Sequence, residues 1–175
     1  MKWLSLPGRS NELNLDRSFS WPEMTPQDWL MEIISAAGLV AMFVYIIYHY
    51  SKLPELIPVH FDDAGNPSGL GSRNQVWIIP GISLFIYFVL PFGQKFSMFL
   101  RSPRFLRRIH TQRDFNNRIR MARFQKMILI LGFFYLSFSS IKLALHSGNG
   151  IGIWFFPVFL FLLIIPSLVY LILSK

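Results

Sequence analysis

Two histidines and three carboxylates gather around one polar stretch of the sequence and could bind a divalent cation. His60, Asp62 and Asp63 lie close together, with Glu55 and His49 nearby. Imidazole and carboxylate groups suit such ions, although the spacing matches no metalloenzyme signature. The aspartates are equally suited to cap the residues that follow them, as in Asx turns, with His60 hydrogen-bonded within the turn. Both interpretations stay open, and we assign no metal ligand, cofactor or catalytic residue.

Other features of the sequence also argue against an enzyme. The chain has no cysteine, which removes thiolate nucleophiles, thiolate metal sites and disulfides together. Its long apolar stretches carry few of the charged groups that ion-coupled transporters keep at mid-membrane depth. Glu32 and Lys142 are expected near helix ends, where long side chains reach the membrane interface. We therefore expect a non-catalytic protein that is not a transporter by itself.

Long apolar segments lie on both sides of the polar stretch and must position it. Of the 175 residues, 53% are hydrophobic, and mean hydropathy is +0.41, more than a soluble domain of this size carries. An α-helix crosses the hydrocarbon core with about 20 mostly apolar residues. Four segments meet this requirement, at residues 29–50, 76–96, 124–145 and 151–173. The sequence predicts an all-α integral membrane protein with four transmembrane helices in one domain, residues 1–175.

The basic residues predict the orientation. Ten of the 17 lie between Lys95 and Lys126, with Asp114 as the one acidic residue among them. Basic loops stay on the cytoplasmic side, so residues 97–123 form a basic cytoplasmic loop and both termini are cytoplasmic. Residues 51–75 then form an outer loop. Residues 1–28 are expected at the cytoplasmic interface, with a disordered leader as the alternative. We expect a multi-pass membrane protein.

Apolar residues recur at helical spacing within the basic loop. Phe105, Ile109, Phe115 and Ile119 are examples, and they predict amphipathic helices that continue out of the second span and into the third. Such helices would contact anionic lipid headgroups or an acidic cytoplasmic partner; the loop lacks the features of a nucleic-acid site. The candidate contact residues are Arg101, Arg104, Arg107, Arg108, Arg113, Arg118, Arg120 and Arg123.

Small residues and prolines predict how the spans pack. Ser137, Ser139 and Ser140 follow Gly132 in the third span, and residues 35–38 form a similar patch in the first. Small side chains let neighbouring membrane helices approach closely. The last span contains Pro157 and Pro166, which predict a kink.

The outer loop is predicted to fold. Its prolines favour extended backbone and its glycines permit turns, so we expect a short strand or hairpin capping the helices. His60 and Phe61 would form the recognition core of this loop. The supporting candidates are Pro54, Pro58, Gly65, Pro67 and Arg73.

The same residues carry a family resemblance. The loop reads L-P-x-x-I-P-x-H-F from Leu53, then G-x-P-x-x-x-G-S-R from Gly65. This pattern, with its flanking apolar helices from about Leu30 to Leu90, resembles the membrane domain of unknown function 1648, found in SdpI-like bacterial immunity proteins. The resemblance implies a multi-pass protein of the bacterial cytoplasmic (inner) membrane. It also implies protection against a membrane-active peptide toxin through the outer loop, and capture of a repressor by cytoplasmic surfaces.

Two functional classes remain at this stage. In the first, an immunity or signalling protein recognises a peptide or protein through the outer loop and contacts lipid or a cytoplasmic partner through the basic loop. In the second, the chain is an accessory subunit whose small-residue helix faces pack against a larger membrane transport or secretion complex.

Overall fold

The structure, a computed structural model, describes residues 23–99, 112–146 and 150–173. These residues form four α-helices and one two-stranded hairpin, and a short 3₁₀ turn, Arg73–Trp77, joins the hairpin to the second helix. The elements are α1 Pro26–Tyr50, β1 Leu56–Phe61, β2 Pro67–Ser72, α2 Ile78–Phe99, α3 Gln112–Ala144 and α4 Phe155–Leu173.

Among the described residues, three helical segments are long and apolar enough to cross a membrane: Pro26–Tyr50, Arg73–Pro91 and Asn116–Ala144. The fourth helix lies where the fourth span is predicted and has a shorter apolar stretch, Phe155–Leu168. Large apolar side chains such as Val44 and Phe161 are exposed on the outward faces of the helices, a surface that lipid covers better than water. The helices are those of a multi-pass membrane protein.

Two helix boundaries differ from the predicted spans. α3 begins at Gln112, well before residue 124, so the predicted helical continuation into the third span is confirmed. α4 begins at Phe155 rather than at residue 151. Pro157 therefore lies in the first helical turn, where its missing N–H costs little, and Pro166 is the proline inside the helix.

A polar contact between α3 and α4 lies beside Pro166. Gln125 donates from Nε2 to the Ser167 hydroxyl at 2.6 Å and to the Leu163 carbonyl at 3.3 Å. A proline leaves backbone acceptors of its helix in need of partners, and neighbouring helices in a membrane commonly supply them. Gln125 thus ties the proline-containing turn of α4 to α3.

The core lies mainly between α1 and α3, which have the most extensive contact of any helix pair. Met42 and Ile46 of α1 and Ile130 and Ile141 of α3 are fully buried there. Gly38 lets the helices approach, because a Cβ at this position would lie 3.2 Å from the Leu131 side chain. Ser137 of α3 lies at the same interface, with its hydroxyl 3.6 Å from the Met42 sulfur.

The α3–α4 contact depends on a glycine as well. A Cβ on Gly132 would overlap the ring of Phe159. The prediction that small residues of the first and third spans pack against neighbouring helices is therefore confirmed for Gly38, Gly132 and Ser137, whereas Ala37 is exposed.

α1 and α3 run in the same direction. Asp28, near the start of α1, pairs with Arg123 in the first half of α3, and the hairpin between α1 and α2 contacts Ser140 near the end of α3. We call the two ends of the helix bundle the hairpin end and the Asp28 end.

Candidate functional site

The predicted hairpin is present at the hairpin end. β1 and β2 are antiparallel, with Leu56 opposite Ser72 and Ile57 opposite Gly71. The register shifts between Pro58 and His60, as at a β-bulge, which bends the strand locally.

Asp62 shapes the tip of the hairpin. Its backbone N–H donates to the Asn66 carbonyl at 2.8 Å, and its Oδ1 accepts the Asn66 N–H at 2.7 Å. Gly65 donates to the Asp62 carbonyl at 2.9 Å and has a φ of +81°, which an L side chain rarely adopts. Asp62 therefore caps the residues that follow it, as predicted, although its carboxylate accepts from the N–H four residues on and not two residues on, as it would in an Asx turn.

Buried contacts attach the hairpin to the helices. Leu53 and Ile57 belong to the hydrophobic core. The Ser140 hydroxyl of α3 donates to the Pro58 carbonyl at 2.5 Å. At the tip, the Ile151 N–H donates to the Gly65 carbonyl at 2.9 Å, so the hairpin also contacts the connection that leads into α4.

Arg73 fixes the end of the hairpin that leads into α2. Its backbone N–H donates to the Glu55 carbonyl at 2.9 Å, and its guanidinium lies 5.4 Å from the centre of the Tyr50 ring. The Tyr50 hydroxyl donates to the Asn74 side-chain oxygen at 2.6 Å. The hairpin is thus held at both ends and along β1.

The seven candidate binding residues of the outer loop fall into two groups. Pro58 and Gly65 are buried and hold the hairpin in place. His60 is exposed and Phe61 half-buried, while Pro54, Pro67 and Arg73 are exposed. Within the described chain, the His60 side chain makes no hydrogen bond or ion pair, so the predicted bond within the turn is not formed.

His60 lies across from Gly69 in the hairpin, and a Cβ on that glycine would come within 3.0 Å of the imidazole. In the described ranges, no group of three or more His, Asp or Glu residues could hold a metal ion.

The hairpin also exposes apolar side chains. Leu56 and Leu70 are 60% and 64% exposed, and Trp154 on the neighbouring connection is highly exposed. A fixed hairpin that exposes two leucines and an unpaired imidazole can bind a partner through apolar contact and hydrogen bonding.

A second site, at the Asp28 end, is a buried ionic cluster. The Lys126 ammonium of α3 lies 2.8 and 2.6 Å from the two carboxylate oxygens of Glu32 in α1. It also lies 4.6 Å from the centre of the Tyr87 ring of α2. The Lys126 side chain is only 3% exposed, so this one ammonium joins three helices where water hardly reaches.

Asp28 is the second carboxylate of the cluster, and its side chain is 1% exposed. It forms a capping box with Thr25, whose backbone N–H donates to Asp28 Oδ2 at 2.9 Å. Arg123 Nη1 lies 3.1 Å from Asp28 Oδ1, and Arg120 Nε lies 3.5 Å from Oδ2. Arg123 Nε is also 3.9 Å from Glu32. Three cations therefore surround two carboxylates.

The cluster lies near the far boundary of the apolar bundle. Glu32 and Lys126 each precede the hairpin-side end of their helix by 18 residues, which is about 27 Å at about 1.5 Å per residue, against a hydrocarbon core of about 30 Å. Sequence reasoning missed this pairing. The pattern that could have predicted it is the four-residue interval between Asp28 and Glu32, together with basic residues at three-residue intervals on another helix.

The candidate contacts of the basic loop are only partly described. Arg120 and Arg123 were expected to face lipid or a partner, but both pair with Asp28. Arg123 is buried and therefore serves the interior of the bundle. Arg118 lies in α3 and has a polar or electrostatic contact of its own. Arg113 belongs to α3, and its role stays a prediction. Arg101, Arg104, Arg107 and Arg108, like residues 1–22, lie outside the described residues.

Comparison with known proteins places the hairpin within a recognised domain. Residues 37–84 match the domain of unknown function (DUF1648). A 49-residue stretch is 33% identical to an uncharacterized protein of Archaeoglobus fulgidus and covers 28% of this chain and 27% of that protein. The match thus spans about a quarter of the relative's length. No solved structure matches the chain. The chain carries a DUF1648 domain, which comprises the second half of α1, the whole hairpin and the start of α2.

Proposed function

We propose that this protein is a non-enzymatic membrane protein of the immunity or signalling type, and that its hairpin recognises a peptide or protein at the membrane surface. The observation that carries the proposal is a hairpin fixed to the helices by buried contacts while it exposes an unpaired imidazole and two leucines. In this proposal the hairpin faces outward from a bacterial cytoplasmic membrane, and the basic segment faces the cytoplasm.

The rigidity of the hairpin supports a binding role. Ile57 is almost completely buried, and Ser140 holds the carbonyl of the next residue. A surface that is already ordered loses little conformational freedom when a partner binds. Neither Leu56 nor Leu70 contributes to the core, so folding alone does not explain these exposed leucines.

The same structure weakens the accessory-subunit alternative. That alternative relied on small-residue helix faces that were free to pack against a larger complex. Ser35, Ser137 and Ser140 are instead buried within the chain, and Gly38 lies between α1 and α3. The small residues are therefore used internally, which favours recognition by the hairpin.

A toxin-protection assay tests the proposal. The chain is expressed in a bacterial host that is challenged with a panel of membrane-active peptides. We expect protection against at least one peptide, and we expect His60→Ala and Phe61→Ala to reduce it several-fold at equal membrane abundance. Ser68→Ala is the matched control, because Ser68 is exposed on the same hairpin. Protection that is absent from the start, or that survives both variants unchanged, would contradict the proposal.

The proposed orientation has its own test, because the chain contains no cysteine. A single cysteine is introduced by Ser68→Cys in the hairpin or by Ser102→Cys in the basic segment. A membrane-impermeant maleimide should label the first variant in intact cells and the second only after lysis. The reverse pattern would overturn the orientation without affecting the fold.

A further inference from the structure

A groove of about 680 Å³ runs between α3 and α4 on the outer surface of the bundle. Leu131 and Tyr135 of α3 and Val158 and Leu162 of α4 form its sides, and the Ile151–Trp154 connection closes its hairpin-side end. The lining is almost wholly apolar. His60, Leu56 and Leu70 of the hairpin do not line it, whereas Trp154 of the neighbouring connection does.

We propose that this groove binds one acyl chain of a phospholipid from the leaflet nearest the hairpin, with the lipid phosphate beside Lys142. The first argument is depth. The α3 wall, from Ile128 to Tyr135, lies 9 to 16 residues before the end of the Asn116–Ala144 span, about 14 to 24 Å along the helix. This depth is within a hydrocarbon core of about 30 Å, so the occupant must be apolar.

Two apolar occupants suit this depth, a hydrocarbon chain and a helix. The apolar lining fits both. The ammonium of Lys142 beyond the groove favours a lipid, because a phospholipid joins a phosphate to its acyl chain.

Lys142 supplies the polar end of the site. Ile128, Tyr135 and Lys142 follow one another at seven-residue intervals on α3 and therefore share one helix face. Lys142 is about 10 Å closer to the hairpin end than Tyr135, and its ammonium lies 4.8 Å from the centre of the Phe138 ring. An ammonium binds phosphate oxygens through charge-assisted hydrogen bonds. Trp154 at the mouth is the residue type that favours the membrane interface.

The groove is also held open by fixed contacts. The Tyr135 hydroxyl donates to the Ile151 carbonyl at 2.9 Å, and the Ile151 N–H donates to the Gly65 carbonyl at 2.9 Å. The connection that closes the groove is therefore fastened to α3 on one side and to the hairpin on the other. A lipid would enter a preformed site and would not need to order it.

Native mass spectrometry of the full chain in detergent, titrated with dioleoyl phosphatidylcholine, tests the proposal. This zwitterionic probe avoids accumulation on the arginine-rich segment by charge alone. We expect one retained lipid per chain, several-fold less retention in Val158→Trp, which fills the groove, and release at lower detergent concentration in Lys142→Gln. Val44→Trp is the matched control, because Val44 and Val158 are 59% and 51% exposed and Val44 lies on α1, outside the groove.

Equal lipid retention by Val158→Trp and Val44→Trp would overturn the proposal. A wild-type chain that retains no lipid, and forms a dimer that Val158→Trp separates, would overturn it in favour of a second copy as the occupant. Leu162→Trp also fills the groove and keeps the test valid if Val158→Trp does not fold.

Discussion

The ion pair between Glu32 and Lys126 offers the most demanding test of the structure. Replacing Lys126 by Leu leaves the Glu32 carboxylate in the α1–α3 interface, with Arg123 at 3.9 Å as its remaining cation. Replacing Glu32 by Leu leaves the Lys126 ammonium, 3% exposed, without a carboxylate partner at hydrogen-bond distance. Each single variant therefore leaves a charge without its partner, a buried ammonium in one case and a half-buried carboxylate in the other, whereas the double variant Glu32→Leu with Lys126→Leu leaves none.

The magnitudes follow from burial and distance. Removing one partner of a buried pair costs about 3–5 kcal/mol, and we expect about 3 for Lys126→Leu because Arg123 partly compensates. Loss of the Tyr87 ring contact adds about 0.5–2 kcal/mol. Apolar residues in place of both charges are often neutral. The double variant should therefore be several kcal/mol more stable than the sum of the single effects implies.

The free energy of unfolding can be measured by SDS titration in mixed micelles, followed by circular dichroism. Lys52→Leu is the control, because Lys52 is exposed and lies 4.5 Å from the centre of the Tyr48 ring; its loss should cost less than about 1 kcal/mol. If Lys126→Leu lowers the free energy of unfolding by no more than Lys52→Leu does, the buried ion pair is refuted. Additive single effects would refute the coupling between the two residues.

Three further substitutions test the hairpin and the helix packing by unfolding measurements. Gly65→Ala should lower the free energy of unfolding by about 1–2 kcal/mol for its left-handed backbone alone. Gly81→Ala is the control and should be neutral or stabilising, because its Cβ meets nothing within 4 Å. Equal effects of the two substitutions would contradict the backbone conformation at the hairpin tip. Gly132→Ala should destabilise the α3–α4 contact, and its cost should be smaller when Phe159→Ala is also present. Independent effects of the two substitutions would contradict the packing of Phe159 on Gly132. Ser140→Ala leaves a buried carbonyl of β1 without its donor and should cost about 1–3 kcal/mol; a cost below about 0.5 kcal/mol, as at ordinary surface positions, would contradict that hydrogen bond.

The hairpin shows how much of the candidate site local sequence can predict. Prolines and glycines restrict or free the backbone residue by residue, so the strands and the turn between them could be predicted from the sequence. Which motif residues are buried could not. Pro58 and Gly65 contact α3 and the α4 connection, respectively, and both contacts join positions more than 80 residues apart in the chain.

The contacts of the charged residues, in contrast, could not be predicted from local sequence. A basic residue near a predicted loop looks the same in sequence whether it faces lipid or a carboxylate. Arg123 and Lys126 were counted with the loop, and only the parallel packing of α1 on α3 brings them to Asp28 and Glu32. The energy of such a pair depends on distance and burial, both properties of the folded chain.

The sequence by itself determined that this protein belongs in a membrane, the approximate position of its apolar helices, and the presence of a folded hairpin between the first two. These properties follow from hydropathy summed over about 20 residues and from local backbone preference. Tertiary structure alone decided that the small-residue faces are used internally, that three helices meet at Lys126, and that a groove remains beside Tyr135. Each of these depends on which helix faces meet, and that is settled by packing between distant parts of the chain.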